Sequence, residues 1–410
     1  MTSKERILAA INGQPADHVP LTTWCFGFPV PEHLRWSKNG KPVKYWYSLR
    51  MEHLHTLPEP WDLSDDFKRV EAWLSLGIDD ILDVSVPWSV NSQVTWTDTI
   101  TPAGKIDAYP VMERKYQTPA GTLRHAVRQT GEDAGAGWVV QPDHVPLIED
   151  YNIPRAVRHA VCSADDVPMV KFLYSSPDAQ TQKWFADRMA KVKQFADAKG
   201  VFVQAWTAFG MDAVVWLTGT EGAIMLAMDD PKAFGQLVEQ IAETDYKRTE
   251  LAAKTAGVDM VCQRGWYSST DFWSPDLFDE FVFPHIAKLT KLAHQYGKKF
   301  GYVMTTGVEK LGPRLADAGV DVLYFVDPIQ DRIDLDHARK LFDGRMTLVG
   351  GTNALSLGSG DPRRIADEVK RAIHILKPTN RFILHPVDAI FPDTPWAGVE
   401  QMIEAWKQHR

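Results

Sequence analysis

Cysteine is scarce in this chain: 410 residues hold three, Cys25, Cys162 and Cys262, far apart and in no CxxC spacing. Their spacing therefore reads neither as a disulfide framework nor as a thiolate metal site. No run approaches the roughly 18 apolar residues that a membrane span needs. Positive charge is also in deficit, with 45 Lys and Arg against 53 Asp and Glu and a formal net charge of −8. That balance argues against nucleic acid or an anionic membrane as the main partner. Internal repeats and low-complexity tracts are missing. The opening MTSKERILAAINGQPADHVP places Thr2 and Glu5 at capping-box spacing. It reads as an amphipathic helix and not as a signal peptide. The expectation is a cytoplasmic, enzyme-sized protein in which residues 1–410 form one domain.

Short apolar runs are present, each followed by polar or glycine residues and then by an amphipathic segment. Eight such runs read as parallel strands: Pro20–Trp24, Asp79–Val86, Val201–Trp206, Asp259–Arg264, Lys298–Met304, Asp321–Val326, Arg345–Gly350 and Arg381–Val387. Helical patterns separate most of them, at Ser64–Leu76, Ala179–Lys199, Lys232–Ala256, Asp276–Tyr296, Val308–Ala318 and Arg363–Leu376. Gly77, Gly200, Gly257, Gly297 and Gly319 stand where a helix would end before the next strand, as a C-terminal cap requires. Eight strands alternating with helices make an α/β fold of the (β/α)8 TIM-barrel class, whose chemistry sits at the strand ends. The exception is about residues 89–178, rich in Thr, Pro, Gly and Asp and alternating in VTWTDTI and YPVMERKYQT. This segment reads as β-hairpins and loops inserted after the second strand, on the rim that carries the site, where it could form a lid or a docking surface.

Fifteen tryptophans are many for this length. Most read as core, but Trp24, Trp88, Trp206 and Trp266 fall at or just beyond predicted strand ends and are candidates for a pocket wall.

The order and spacing of SKERILAAINGQPADHVPL, AWLSLGIDDILDVS, TPAGTL, DFWSPDLFDEFVFPHIAKL, GGTNALSLGSGDPRRIADEVKRAI and FILHPVDAIFPDTP resemble the uroporphyrinogen decarboxylase superfamily, which includes corrinoid-dependent methyltransferases. The resemblance runs over nearly the whole chain and implies a (β/α)8 barrel, with a homodimer among the assemblies it allows. Departures from the pattern bear on the branch. True porphyrinogen decarboxylases carry arginines after the first strand, where guanidinium forks grip several carboxylates. Here no arginine occurs from Thr22 to His33, and the family's catalytic aspartate falls on or near Val86. The thiol-methylating branch holds zinc by His-x-Cys after the fifth strand and a further Cys after the eighth. Tyr302, Met304 and Asp388 occupy those places here, so the usual ligands do not support zinc. Cys262, His385 and Asp388 remain as weak metal candidates.

The resemblance then points to a methyltransferase component that takes a methyl group from a small, aromatic methyl ether and passes it to a corrinoid. The chain has no corrinoid-ligand motif of the DxHxxG type, so the cobalamin would be presented by a separate corrinoid protein. An alkoxide or phenolate leaves poorly, so the site must protonate or polarise the ether oxygen and exclude water. Tyr302, His385 and Asp388 are the catalytic candidates. Candidates for substrate contact are Trp24, Trp88, Gln204, Trp206, Arg264, Trp266, Met304, Asp327 and Asn353. His385 and Asp388 could equally cap backbone groups at the rim, Tyr302 could be a barrel tyrosine with a satisfied hydroxyl, and Asp327 could cap the turn before Pro328. A lyase acting on a smaller carboxylic acid and a non-catalytic binding barrel are the alternatives.

Overall fold

The structure is a computed structural model that describes residues 1–47, 61–129 and 146–410. Its strands of three residues or more, in chain order, are β1 (Ile81–Ser85), β2 (Thr95–Thr101), β3 (Val111–Thr118), β4 (Gly121–Arg128), β5 (Ala156–Arg158), β6 (Phe202–Ala208), β7 (Met260–Gln263), β8 (Lys299–Val303), β9 (Val322–Val326), β10 (Thr347–Asn353) and β11 (Phe382–Val387). Seven of them form one parallel sheet in the order β11-β10-β9-β8-β7-β6-β1. Helices that precede or separate these strands include α1 (Ser3–Ile11), α2 (Leu63–Ser75), α3 (Ala179–Lys199), α4 (Met211–Asp229) and α5 (Pro231–Lys254).

The first predicted strand, Pro20–Trp24, is not a continuous strand. It pairs only at Leu21, opposite Leu384, and Cys25 makes a second bridge to Ile390. Proline at position 20 has no N–H to give, yet its carbonyl accepts from Leu384 N at 2.9 Å, and Thr22 N donates to the Leu384 carbonyl at 3.0 Å. On the other side Asp79 N donates to the Leu21 carbonyl at 2.9 Å. This short segment thus bonds to both edges of the curled seven-stranded sheet, in the manner of a TIM-like barrel.

Burial sorts the strand residues by period two, as a pleated strand must. Ile81, Phe202, Trp206, Met260, Cys262, Val303, Val322, Tyr324, Val349, Ile383 and Val387 share one cluster with Ile7, Ala10 and Ile11 of α1. That cluster is the barrel interior, and α1 closes its lower end. The capping box read from the sequence starts this helix: Thr2 Oγ1 accepts from Glu5 N at 3.2 Å, and Glu5 Oε2 accepts from Thr2 N at 2.8 Å. The alternate residues, among them Leu82, Val84, Val203, Val261, Phe300, Tyr302 and Leu323, join the larger cluster between sheet and helices. At Gly200, with φ 63°, α3 ends in the left-handed region. A Cβ there would lie 2.7 Å from the side chain of Thr2, so only glycine lets α3 end against α1.

Between β1 and β6 the chain builds a separate antiparallel sheet in the order β2-β3-β4-β5. Its inner side buries His125, whose two ring nitrogens find no partner among the described residues. Burial, with smaller contributions from His159 and Arg114, pushes the His125 imidazole down to about 3 from its ordinary 6.5. The unfolded chain therefore binds the extra proton first. The stability His125 permits is complete above pH 6.5 and is lost as the pH falls toward 3. At pH 5 the loss is about 2 kcal/mol, from 1.4 kcal/mol per pH unit. Urea unfolding of the wild type and His125→Phe at pH 7.5 and 5 should show the variant losing about 2 kcal/mol less. Equal losses in both proteins would contradict a neutral, buried His125.

Candidate active site

At the C-terminal ends of the parallel strands the interior becomes aromatic. Trp24 is its centre: its ring lies 4.9 Å from Tyr324 in a stacked arrangement, 4.9 Å from His385, 5.0 Å from Phe325 and 5.3 Å from Trp206. Trp266 closes the upper side, 5.6 Å from Phe325 and 6.1 Å from Trp24. A period-two strand can turn only one of two successive residues inward. Both Tyr324 and Phe325 reach the cage because the β9–β10 register shifts between Tyr324 and Val326 and Phe325 takes φ 74°. A left-handed phenylalanine is costly, and here the cost is offset by burying its ring against Trp24, Trp266 and His385.

A polar network runs beneath and beside the cage. Asp83 of β1, buried in the interior, accepts from Gln204 Nε2 at 2.9 Å and from Trp206 Nε1 at 2.8 Å. The Tyr324 hydroxyl donates to Gln204 Oε1. Asp83 therefore fixes the plane of Trp206 directly and the ring of Tyr324 through Gln204. His385, fully buried, lies 3.0 Å from Thr22 Oγ1 through Nδ1. Asp388 Oδ1 accepts from Trp266 Nε1 at 3.2 Å. His385 and Asp388 thus touch the same group of indoles, one at Trp24 and the other at Trp266.

Arg264 stands at the rim, between the rings of Trp216 and Trp266 at 4.9 and 4.7 Å. Its Nε donates to Asp212 Oδ2 at 3.0 Å, and its other edge is paired with Asp150. Asp150 also accepts from Trp216 Nε1, so the connection between β4 and β5 of the antiparallel sheet is tied to the barrel rim. Burial pushes the Asp212 carboxyl up to about 7, against the pull of Arg264 and with a further push from Asp150.

Several candidates from the sequence lie elsewhere. Tyr302 is not brought to His385 or Asp388. Period two turns Gly301 and Val303 inward and sends Tyr302 into the layer between sheet and helices. There its hydroxyl lies 2.6 Å from Ser268 Oγ, and burial raises its pKa. Met304 falls in the same layer. Trp88 packs against Tyr174 and Phe209 at 5.4 and 5.5 Å, with the Arg248 guanidinium over its ring. Asp327 and Asn353 serve turns. Asp327 accepts from Ile329 N and from Asn353 Nδ2, both at 2.7 Å, and Asn353 Oδ1 accepts from Leu355 N at 2.7 Å.

Zinc does not fit. Among the described residues no group of three or more His, Cys, Asp or Glu is placed to hold a metal ion. Cys262 is buried in the barrel interior, with its backbone oxygen accepting from Thr207 at 3.2 Å. No step is therefore assigned to a metal. The positions of Tyr302 and Asp388 lead to opposite expectations for their variants. Tyr302→Phe should cost about 1 kcal/mol of stability and leave turnover within a factor of about three. Asp388→Ala, which frees the Trp266 indole, should lower turnover about tenfold or more. Steady-state rates of the two purified variants decide it, and a larger loss in Tyr302→Phe would reverse the placement.

Thr22, Asp83, Asp150, Asp212, Trp216, Tyr324 and Phe325 were not marked by the sequence reading. Asp83 carried the clearest signal, a carboxylate in phase with Ile81 on the inward side of an otherwise apolar strand.

Residues 155–409 match the protein family described as Uroporphyrinogen decarboxylase (URO-D). No curated protein sequence matches the chain. Among solved structures, a methyltransferase from Methanosarcina mazei is similar over 100% of this chain and 99% of its own, at 16% identity and a TM-score of 0.58. A 3-keto-D-glucoside 4-epimerase from E. coli, at 11% identity, covers 62% of this chain and 96% of its own with a TM-score of 0.38, which is too low to bear on fold or function. The methyltransferase likeness, at so low an identity, is one of fold. The family match extends over more than half of the 410 residues, and the chain belongs to the uroporphyrinogen decarboxylase family.

Proposed function

We propose that this chain is a methyltransferase component that removes a methyl group from a small aromatic methyl ether and delivers it to a corrinoid carried by a separate protein. The observation that carries the reading is the make-up of the barrel mouth: an aromatic cage around one buried imidazole, with its rim guanidinium already held by two carboxylates. A porphyrinogen, or any donor with several carboxylates, needs guanidinium forks to grip it. Arg264 spends its charge on Asp212 and Asp150 instead. A flat, weakly polar ring is what indole faces accept.

Within this reading Trp24, Trp206 and Trp266 hold the aromatic ring and keep water from it, and Asp83 keeps Trp206 in plane. His385 holds the proton that the departing oxygen requires. If Thr22 donates to Nδ1, that proton sits on Nε2. Trp266 and Asp388, the part-buried members, form the approach. A corrinoid supplies the nucleophile that takes the methyl group. In this reading the corrinoid would enter as a co-substrate, and His385, fully buried and 4.9 Å from the Trp24 ring, would act on the donor's oxygen. The Methanosarcina mazei methyltransferase shares the fold, and a TIM-like barrel in a single domain, with the antiparallel sheet on its active rim, is part of the proposal.

The test is an anaerobic absorbance assay of the purified chain with Co(I) cobalamin and a panel of methoxylated aromatics. Conversion to methylcobalamin with one donor supports methyl transfer and names the substrate class. No conversion even with a corrinoid protein supplied overturns it. Carbon dioxide release without corrinoid would then indicate a lyase acting on a smaller acid, and donor affinity without turnover a binding barrel.

A further inference from the structure

The donor groups around the barrel mouth are already turned to the protein's own carboxylates. Trp206 Nε1 donates to Asp83 at 2.8 Å, and Trp266 Nε1 donates to Asp388 at 3.2 Å. The Tyr324 hydroxyl donates to Gln204, whose amide nitrogen donates in turn to Asp83 at 2.9 Å. Arg264 gives Nε to Asp212 at 3.0 Å and a terminal nitrogen to Asp150. Asp83, Asp150, Asp212 and Asp388 together outweigh the single charge of Arg264. Two of the four, Asp83 and Asp212, are buried, where salt screens a charge far less than at the surface.

A carboxylate carried by the donor would give up its water on entering and meet this excess of like charge. To gain a partner it would have to displace one of the acids that hold Arg264. Asp212 is fully buried and is fixed a second time by Tyr267 N, which donates to its Oδ1 at 3.0 Å. Asp150 is the reachable one, with 23% of its side chain accessible against 6% for Arg264. It also does not belong to the barrel. It stands in the connection between β4 and β5, and Trp216 Nε1 donates to its other oxygen.

We infer that the donor is an aromatic methyl ether without a carboxylate, and that Asp150 sets this choice by neutralising Arg264 from the inserted segment. The inference rests on the methyl-ether reading and narrows it to neutral and cationic donors. Methoxyphenols, methoxybenzyl alcohols and methoxybenzylamines fit, and methoxybenzoates do not. Indole faces attract cations, and the carboxylates bound to Trp206 and Trp266 add to that pull. Asp150 is thus a specificity residue that acts through Arg264, one ring away from the cage at Trp266.

Three ligands of one shape separate charge from fit: para-methoxybenzyl alcohol, para-methoxybenzylamine and para-methoxybenzoate. Calorimetry on the full chain at pH 7.5 should show the alcohol and the ammonium binding about tenfold or more tightly than the benzoate in dilute buffer. The gap should narrow as salt is added. Asp150→Asn keeps an acceptor for Trp216 and removes the charge, and should raise the affinity for the benzoate about tenfold relative to the alcohol. Adding Arg264→Met to that variant should cancel the gain, which a merely structural role for Asp150 does not predict. Circular dichroism checks that the variants keep the fold, and the wild-type comparison needs no variant. A wild type that binds the benzoate as tightly as the alcohol overturns the inference and leaves the methyl-ether reading standing. So does a preference that folded Asp150→Asn leaves unchanged. Binding of none of the three overturns both.

Discussion

Replacing His385 by phenylalanine should lower methyl transfer by about 100-fold or more while the melting temperature stays close to that of the wild type. Phenylalanine keeps the ring contacts that the imidazole makes with Trp24 and Phe325 and gives up the nitrogen atoms. The protein then loses the hydrogen bond to Thr22, worth about 1 kcal/mol. The rate loss carries a signature that a mere wall residue would not show. A general acid matters in proportion to the basicity of the oxygen it protonates. The deficit of His385→Phe should therefore shrink as methoxy donors are given electron-withdrawing ring substituents, whose phenolates leave without help. Thr22→Val, which removes the orienting partner, should show the same trend with a smaller loss. The measurement is single-turnover conversion across a donor series in all three proteins. A deficit that is the same for every donor would make His385 part of the cage wall, and no deficit would move the chemistry away from β11.

The sequence signals that worked were those set by local chemistry. Glycine stops such as Gly200 and Gly257 marked where helices end, and both take positive φ. The apolar runs located seven parallel strands to within a few residues, because a buried parallel strand must be apolar on both faces. That same fact hid the facing of each residue. In VLYFV or FGYVM every position is apolar or aromatic, so period two cannot say which side chains point inward. Tyr302 was assigned to the site on a family position and lies outside it, while Tyr324 and Phe325 went unmarked and form its wall. Phe325 could not have been found by alternation at all, since a register shift turns it inward. Helix α4 was missed for a related reason. Its first half, MDAVVWLTG, is buried on every side and shows no amphipathic period. With it went Asp212 and Trp216, the residues that decide what Arg264 can do. Pairings between distant segments, such as Asp83 with Trp206 or Asp150 with Arg264, depend on tertiary placement and leave no spacing to read.

The largest stability effect is expected at Asp245, on α5, outside the cage. Its Oδ2 accepts from the backbone N–H groups of Phe209 and Gly210 at 3.0 and 2.8 Å, and its Oδ1 bonds the Tyr174 hydroxyl and lies 3.2 Å from Arg248. Arg248 is fully buried, donates twice to the Val86 carbonyl, and lies over the Phe209 ring at 4.1 Å. These two residues pin the end of β1 to the turn after β6. Gly210 takes φ 52° there, and the turn aims α4, with Asp212 and Trp216, at Arg264. Asp245→Ala leaves a buried guanidinium without its carboxylate and two N–H groups without acceptors, and should cost about 3–5 kcal/mol. Asp245→Asn keeps an oxygen for the N–H groups and should cost less. The double variant Asp245→Leu with Arg248→Met removes the charge as well as its partner and should recover much of the loss. Urea unfolding of the wild type, Asp245→Leu, Arg248→Met and the double variant gives the coupling between the two sites. A double variant as unstable as the sum of its single changes would mean that the two groups act independently. In that case the turn that positions Arg264 would be held by the apolar contacts of Phe209 and not by this ion pair.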